Sequence, residues 1–294
     1  MTSLRYRVIE TLLRLGKSNR VISKAIDGSP PRSVSPPSRL SSRTERMEVD
    51  GRDVWIIHPK SGAGESAYIH FHGGAFLLGF MSFHFGLAEK LSDLSGISVC
   101  LPDYPLAPAA QVGEITEFAA HVYDAALARW GEGNVKIGGG SAGGNLAVAL
   151  ALNLKAMGLP QPPHILLMSP WMDLEMAHPA NDGPSKEVCF TDAKDLRRAA
   201  LLYAGDVSVR DPRVSPSFAD LSGLAPMSIV TGDVDLLHAD ILAFAEKARA
   251  AGVLSKLAVH GTLGHIFMLY PAPDRDSALI EMGDILRHVI AVSA

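Results

Sequence analysis

Apolar residues recur along this chain with two periods, and the two alternate. Runs of β-branched, aliphatic and aromatic residues predict strands over Glu45 to Val49, Val54 to His58, Ala67 to Phe71 and Ile97 to Leu101. Four more are predicted over Val135 to Gly138, His164 to Met168, Met227 to Thr231 and Lys256 to Val259. Apolar positions three and four apart predict helices over Phe83 to Leu94, Ile115 to Trp130, Ala142 to Met157, His238 to Ala251 and Ser277 to Ile290. Asp50-Gly51 between the first two strands is a hairpin signal. Strands alternating with helices predict an α/β fold. Its sheet is mostly parallel and covered on both faces, with the two leading strands as an antiparallel edge. Lys256 to Val259 is expected at a sheet edge, where it could pair with a second copy in a homodimer.

Three segments fall outside this alternation. Leu4, Val8, Leu12 and Leu15 recur at helical spacing in a basic segment with Arg5, Arg7, Arg14, Lys17 and Arg20. That reads as an amphipathic helix packed on its own protein, with a membrane-surface helix as the alternative. Asp27 to Arg43, which contains Pro30, Pro31, Pro36 and Pro37, reads as an irregular connector. From Ser169 to Pro226 the chain runs about 60 residues, far beyond an ordinary connection, and Ala193 to Tyr203 within it is helical in pattern. The organisation expected is an N-terminal helix and linker over 1–43, then one domain over 44–294 with an insertion at about 172–216. The insertion and the N-terminal helix could form a cap over the C-terminal edge of the sheet, where open α/β sheets bind ligands.

Composition narrows the function classes. Hydrophobic residues are 47% and charged residues 20%, as in globular enzymes, and the net charge of −4 gives no electrostatic case for nucleic acid. Cys100 and Cys189 cannot build a disulfide framework and point to a reducing, cytoplasmic setting. No apolar run approaches the roughly 20 residues that span a bilayer.

The candidate chemistry centres on Gly139-Gly140-Ser141-Ala142-Gly143, a G-x-S-x-G turn between a strand and a helix. Such a turn projects a serine hydroxyl out of the fold, but a nucleophile also needs a base, an acid and an oxyanion site. His72-Gly73-Gly74 follows the third strand, and its glycines let backbone N–H groups approach a reacting carbonyl. Ala142 adds an N–H at a helix start, where the dipole also favours an anion. His265 lies after the last strand, with His260 and His238 as rivals. The preceding strand ends in a loop offering Asp233, Asp235 and Asp240. Asp235 is favoured because Leu236-Leu237 can anchor it in the core, and Asp233 stays as its rival. His70 and His72 alternate on a strand, but no third ligand stands at metal spacing.

Taken in order, these motifs resemble the hormone-sensitive-lipase-like family of α/β-hydrolase esterases. The match runs from about Val54 to Tyr270. It includes His72-Gly73-Gly74, Asp103-Tyr104-Pro105-Leu106-Ala107-Pro108 and the serine turn with Gly144. It continues through Ser169-Pro170-Trp171, Asp211-Pro212 with Ser215-Pro216, Asp235-Leu236-Leu237 and His265-x-Phe267. The resemblance implies Ser141 as nucleophile, His265 as base, Asp235 as acid, and Gly73, Gly74 and Ala142 as oxyanion donors. It also implies a cap built from the N-terminal region and the long insertion. Three positions depart from the family: Ala75 replaces a third glycine, Gly140 replaces an Asp or Thr, and Ala109 replaces a Glu.

The expected reaction is hydrolysis of small or medium uncharged carboxylic esters through an acyl-enzyme, with no metal or organic cofactor. A lactone is the alternative substrate. A hydrolase fold serving as a non-enzymatic ligand binder is the alternative class. Phe76, Phe80, Met81, Phe83 and Phe85 follow the oxyanion loop, and Trp171, Met172 and Met176 open the insertion. Phe76, Trp171 and Met172 are expected to line an apolar substrate entrance.

Overall fold

The computed structural model describes residues 2–15, 20–28, 33–182 and 192–288. Lys17, Pro30, Pro31, Cys189 and Ile290 lie outside the described residues. The strands are β1 (Thr44–Val49), β2 (Arg52–Ile57), β3 (Ala67–Phe71), β4 (Ser98–Pro102), β5 (Val135–Gly140), β6 (Ile165–Met168), β7 (Met227–Gly232) and β8 (Leu254–His260). They form one sheet in the order β1-β2-β4-β3-β5-β6-β7-β8. β2 runs antiparallel to both β1 and β4, and the remaining neighbours are parallel. The helices are α1 (Leu4–Leu15), α2 (Val21–Ile26), α3 (Ser82–Ser95), α4 (Val112–Trp130), α5 (Ala142–Ala156), α6 (Ala193–Ala204), α7 (His238–Ala250) and α8 (Asp276–Arg287). Asp50 and Gly51 both have positive φ, 49° and 73°, as the tight hairpin between β1 and β2 requires.

Strand side chains divide between two cores by alternation. Ile165 and Leu167 of β6 join Ile69, Ile137 and Ile229 on one face, under α4, α5 and α7. Leu166 and Met168 of the same strand join Tyr68, Val99 and Val230 on the other, under α3 and α8. A fully buried Leu or Ile contributes about 1.5–3 kcal/mol, so a one-residue slip that exchanged the faces would be costly.

β5 extends two residues beyond the expected Gly138, through glycines with poor strand propensity. Close approach explains them. A Cβ at Gly139 would lie 2.4 Å from the Phe71 carbonyl oxygen, and one at Gly143 would lie 1.9 Å from it. No side chain fits there, so β5, β3 and α5 meet backbone to backbone.

Two further features position the site. Asn145 on α5 donates to the Trp171 and Val214 carbonyls at 3.0 and 2.9 Å, tying both ends of the long insertion to one helix. α2 packs against α6, the helix inside that insertion. Near the other end of the sheet, Tyr6 of α1 accepts the Gly264 N–H at 2.9 Å and packs its ring 5.7 Å from Tyr270. Among the described residues, no helix is long and apolar enough to cross a membrane.

Candidate active site

Ser141 stands where β5 breaks into α5, with φ 53° and ψ −120°. A non-glycine residue in such a conformation costs about 1–3 kcal/mol and needs its surroundings to hold it. They do so through backbone. Ser141 N–H donates to Met168 at 2.9 Å, while its carbonyl accepts from Gly144, Asn145 and Trp171 at 3.0, 3.2 and 3.1 Å. The side chain opens into a cleft that His265 also lines.

His265 and Asp235 meet across the loops after β8 and β7. Nδ1 of His265 lies 3.0 and 3.1 Å from the two carboxylate oxygens. An acceptor on that side fixes the tautomer with hydrogen on Nδ1 and leaves Nε2 as the basic atom. Asp235 is buried, and its Oδ1 also accepts the Leu237 N–H at 2.8 Å. Burial opposes its ionisation. The His265 charge and hydrogen bonds from His265, Ser169 and Leu237 outweigh that, and hold the carboxyl below its ordinary value.

The rivals are engaged elsewhere. Asp233 is exposed and accepts the Thr262 N–H, and Asp240 accepts from Asn181 at 2.8 Å. His260 pairs with Glu281 at 3.3 Å, and Nδ1 of His238 donates to the Gly232 carbonyl at 3.1 Å. Among the described residues, none accepts from the N–H groups of Gly73, Gly74 or Ala142. Gly73 and Gly74 line the cleft beside Ser141, and a Cβ on Gly73 would stand 3.3 Å from the Ser141 Cβ. The Gly73-Gly74 loop is braced by His72, whose Nδ1 donates to the Gly73 carbonyl at 2.9 Å. Its ring stacks on Tyr104 at 4.2 Å, and Tyr104 hydroxyl donates to the His72 carbonyl at 2.7 Å.

Sequence reasoning assigned no role to Ser169 or Thr231. Ser169 Oγ accepts the Ile266 N–H at 3.2 Å and bonds toward Asp235, and Thr231 Oγ1 lies 3.4 Å from Asp235 Oδ2. Both lie at the C-terminal ends of adjacent parallel strands, the one signal that could have marked them.

The cleft encloses about 640 Å³, open solvent included. Its lining includes Ile22, Leu78, Met81, Phe83, His84, Leu196, Leu236, Ile266 and Leu269, with no Asp, Glu, Lys or Arg among the described residues. The expectation for Phe76, Trp171 and Met172 needs correction, because all three are fully buried and none lines the cleft. Phe76 stacks on Tyr203 of α6 at 3.6 Å, so these aromatics join the insertion to the sheet. Ile22 and Leu196, from helices remote in sequence, line the cleft instead.

A family model described as the α/β-hydrolase fold matches residues 68–269. The chain belongs to the α/β-hydrolase family. An esterase of Acinetobacter venetianus is 33% identical over 219 residues, which is 73% of this chain and 72% of that protein. An esterase from the bacterial hormone-sensitive lipase family superposes with TM-score 0.80 at 26% identity, covering 94% of this chain and 99% of that one. A hormone-sensitive lipase from a metagenome library gives TM-score 0.83 at 27% identity, covering 99% and 100%. This α/β-hydrolase is a member of the hormone-sensitive-lipase-like group.

Buried imidazoles give this α/β-hydrolase a distinctive acid response. Burial depresses His70 to about 3, and His72 and His164 to about 4; it also holds His84 well below the ordinary 6.5. Below pH 6.5 the unfolded chain therefore binds protons that the folded one refuses. Stability is fully present above about pH 6.5 and falls as pH drops toward 4, by up to about 1.4 kcal/mol per pH unit for each histidine. Asp235, depressed instead, adds stability that is lost only as pH falls below its ordinary 3.8. Guanidinium unfolding midpoints should drop steeply from pH 7 to pH 5. A flat profile over that interval would contradict the assignment.

Proposed function

We propose that this chain is a serine carboxylic-ester hydrolase in which Ser141, His265 and Asp235 act as nucleophile, base and acid. The single observation that carries the reading is that His265, bonded to the buried Asp235, lines the same cleft as Ser141, Gly73 and Gly74. The Ser141 hydroxyl adds to the ester carbonyl as His265 Nε2 takes its proton. The negative charge on oxygen falls to Gly73, Gly74 and Ala142, each such donor contributing roughly 2.7–4 kcal/mol to lowering the barrier. His265 returns the proton to the leaving alkoxide, and an acyl-Ser141 ester remains. Water then loses a proton to His265, attacks the acyl carbon and releases the acid with Ser141 restored. Asp235 stays ionised throughout and stabilises the imidazolium.

The largely apolar lining, with no formal charge among the described residues, supports small or medium uncharged esters as substrates. The reading extends to a cap made from residues 1–43 and about 172–216. Its support is that α2 packs on α6, and Ile22 and Leu196 bring both segments to the cleft.

The test is labelling with a fluorophosphonate, read by peptide mass, beside p-nitrophenyl acetate, butyrate and octanoate and a small lactone. We expect one adduct, on Ser141, and turnover of the acetyl or butyryl ester above octanoyl and lactone. Folded protein that neither labels nor hydrolyses any of the four would overturn the reading in favour of a binding protein.

A further inference from the structure

α1 carries two apolar stripes, and only one of them meets the protein. Successive residues on a helix turn about 100°, so Tyr6, Ile9 and Leu13 share one side. Tyr6 is buried in the core under α3 and α8, and Ile9 and Leu13 pack against that core. Leu4, Val8 and Leu12, four residues apart, share the opposite side and are 74%, 48% and 62% exposed. They make up three of the nine large exposed apolar side chains among the described residues, concentrated on one short helix.

The flanks of this stripe are charged. Arg5 projects about 20° beyond Leu12 and Arg7 about 60° to the other side of Leu4, at 100° per residue. Both are exposed, and neither has an ion-pair partner among the described residues. The first 24 residues hold Arg5, Arg7, Arg14, Lys17, Arg20 and Lys24 against Glu10 alone, a net +5 in a chain whose total is −4. Positive charge is thus gathered in the N-terminal stretch of an otherwise acidic sequence.

We propose that the outer face of α1 docks on the surface of an anionic lipid bilayer. Leu4, Val8 and Leu12 enter the boundary between headgroups and acyl chains, and the flanking arginines meet lipid phosphates. A second copy of the chain fits poorly, because pairing two such stripes would set arginine against arginine. The helix lies flat on the surface, being too short at 12 residues to span it. Docking also has a position relative to the cleft. Tyr6, on the inner stripe, bonds Gly264, the residue before His265, and Ser3 N–H donates to Asp274 Oδ1 at 2.7 Å. The loop carrying His265 therefore rests against the docked helix. Delivery of lipid-dissolved esters to that loop rests on the proposed hydrolase function; the docking does not.

The experiment is flotation of the full chain with vesicles of phosphatidylcholine alone, or of phosphatidylcholine with one-third phosphatidylglycerol, at low and high salt. Two surface variants, Arg5→Gln with Arg7→Gln, and Leu4→Ser with Leu12→Ser, run in parallel. The wild type should bind the anionic vesicles at least about tenfold more tightly than the neutral ones, and high salt should weaken that binding. Each arginine removed should cost about fivefold, and the double leucine variant about tenfold or more. All three proteins should hydrolyse a dissolved p-nitrophenyl ester at the same rate, which also reports intact folding. No wild-type binding to anionic vesicles would overturn the proposal, as would equal binding to both vesicle types or binding that survives both variants. Vesicle binding by protein that hydrolyses no ester would leave the docking intact and count against the hydrolase function alone.

Discussion

Replacing Ser141 by alanine is expected to lower kcat/KM for p-nitrophenyl butyrate by a factor of about 10⁴ or more, with little change in folding stability. The substitution removes one oxygen. It keeps the Cβ, so the cost of the positive φ at this turn is unchanged, and the four backbone hydrogen bonds that hold the residue remain. What disappears is the atom proposed to form the acyl-enzyme. Gly73 and Gly74 still line the cleft, and the oxyanion site proposed for their N–H groups and that of Ala142 would still serve attack by water, so a small residual rate is expected. A variant that unfolds like the wild type and retains more than a tenth of its activity would remove Ser141 from the mechanism.

The second large effect concerns the carboxylate. Asp235→Asn should reduce activity at neutral pH by about 10⁴, whereas Asp233→Asn should change it by no more than about threefold. The asparagine side chain can keep the bond from Leu237 N–H through its carbonyl oxygen. Its NH₂ group then faces His265 Nδ1, which must become the acceptor. That moves the imidazole hydrogen to Nε2, the atom proposed to take the Ser141 proton, and the base is disabled without being moved. Asp233 is exposed and bonds the Thr262 N–H, so its amide variant has no route to the imidazole. Steady-state kinetics on the two variants side by side separates them. Equal losses would contradict the assignment of the acid.

The alternation of strands and helices was legible because both faces of this sheet are covered, which forces apolar runs at every strand. Strand limits were less so. β5 continues through Gly139 and Gly140, where packing against Phe71 and α5 overrides propensity. Ser141, Asp235 and His265 could be singled out because turn chemistry and chain order are local, one-dimensional properties. The carboxylate was narrowed to two candidates by sequence, and the 3.0 Å bond to His265 distinguishes them in space. The cleft walls were beyond sequence reading. Ile22 and Leu196 reach them only because α2 packs on α6, and that contact joins residues more than a hundred positions apart. Phe76 and Trp171 sit beside chemical motifs in sequence, yet point into packing whose direction no periodicity encodes. Ser169 and Thr231 were invisible for a related reason: a serine and a threonine at strand ends look ordinary until a carboxylate from another loop arrives.

The departure at Gly140 bears on how this lineage can change. A Cβ there would find its nearest neighbours in Ile266 Cδ1 and Cγ2, at 3.4 and 3.7 Å. Ile266 in turn holds φ at 47°, an uncommon conformation for a β-branched residue, beside the histidine loop. A side chain at 140 would therefore begin in ordinary van der Waals contact with the isoleucine. Substitutions at 140 and 266 are therefore expected to be epistatic, the effect of a side chain at 140 depending on which residue stands at 266.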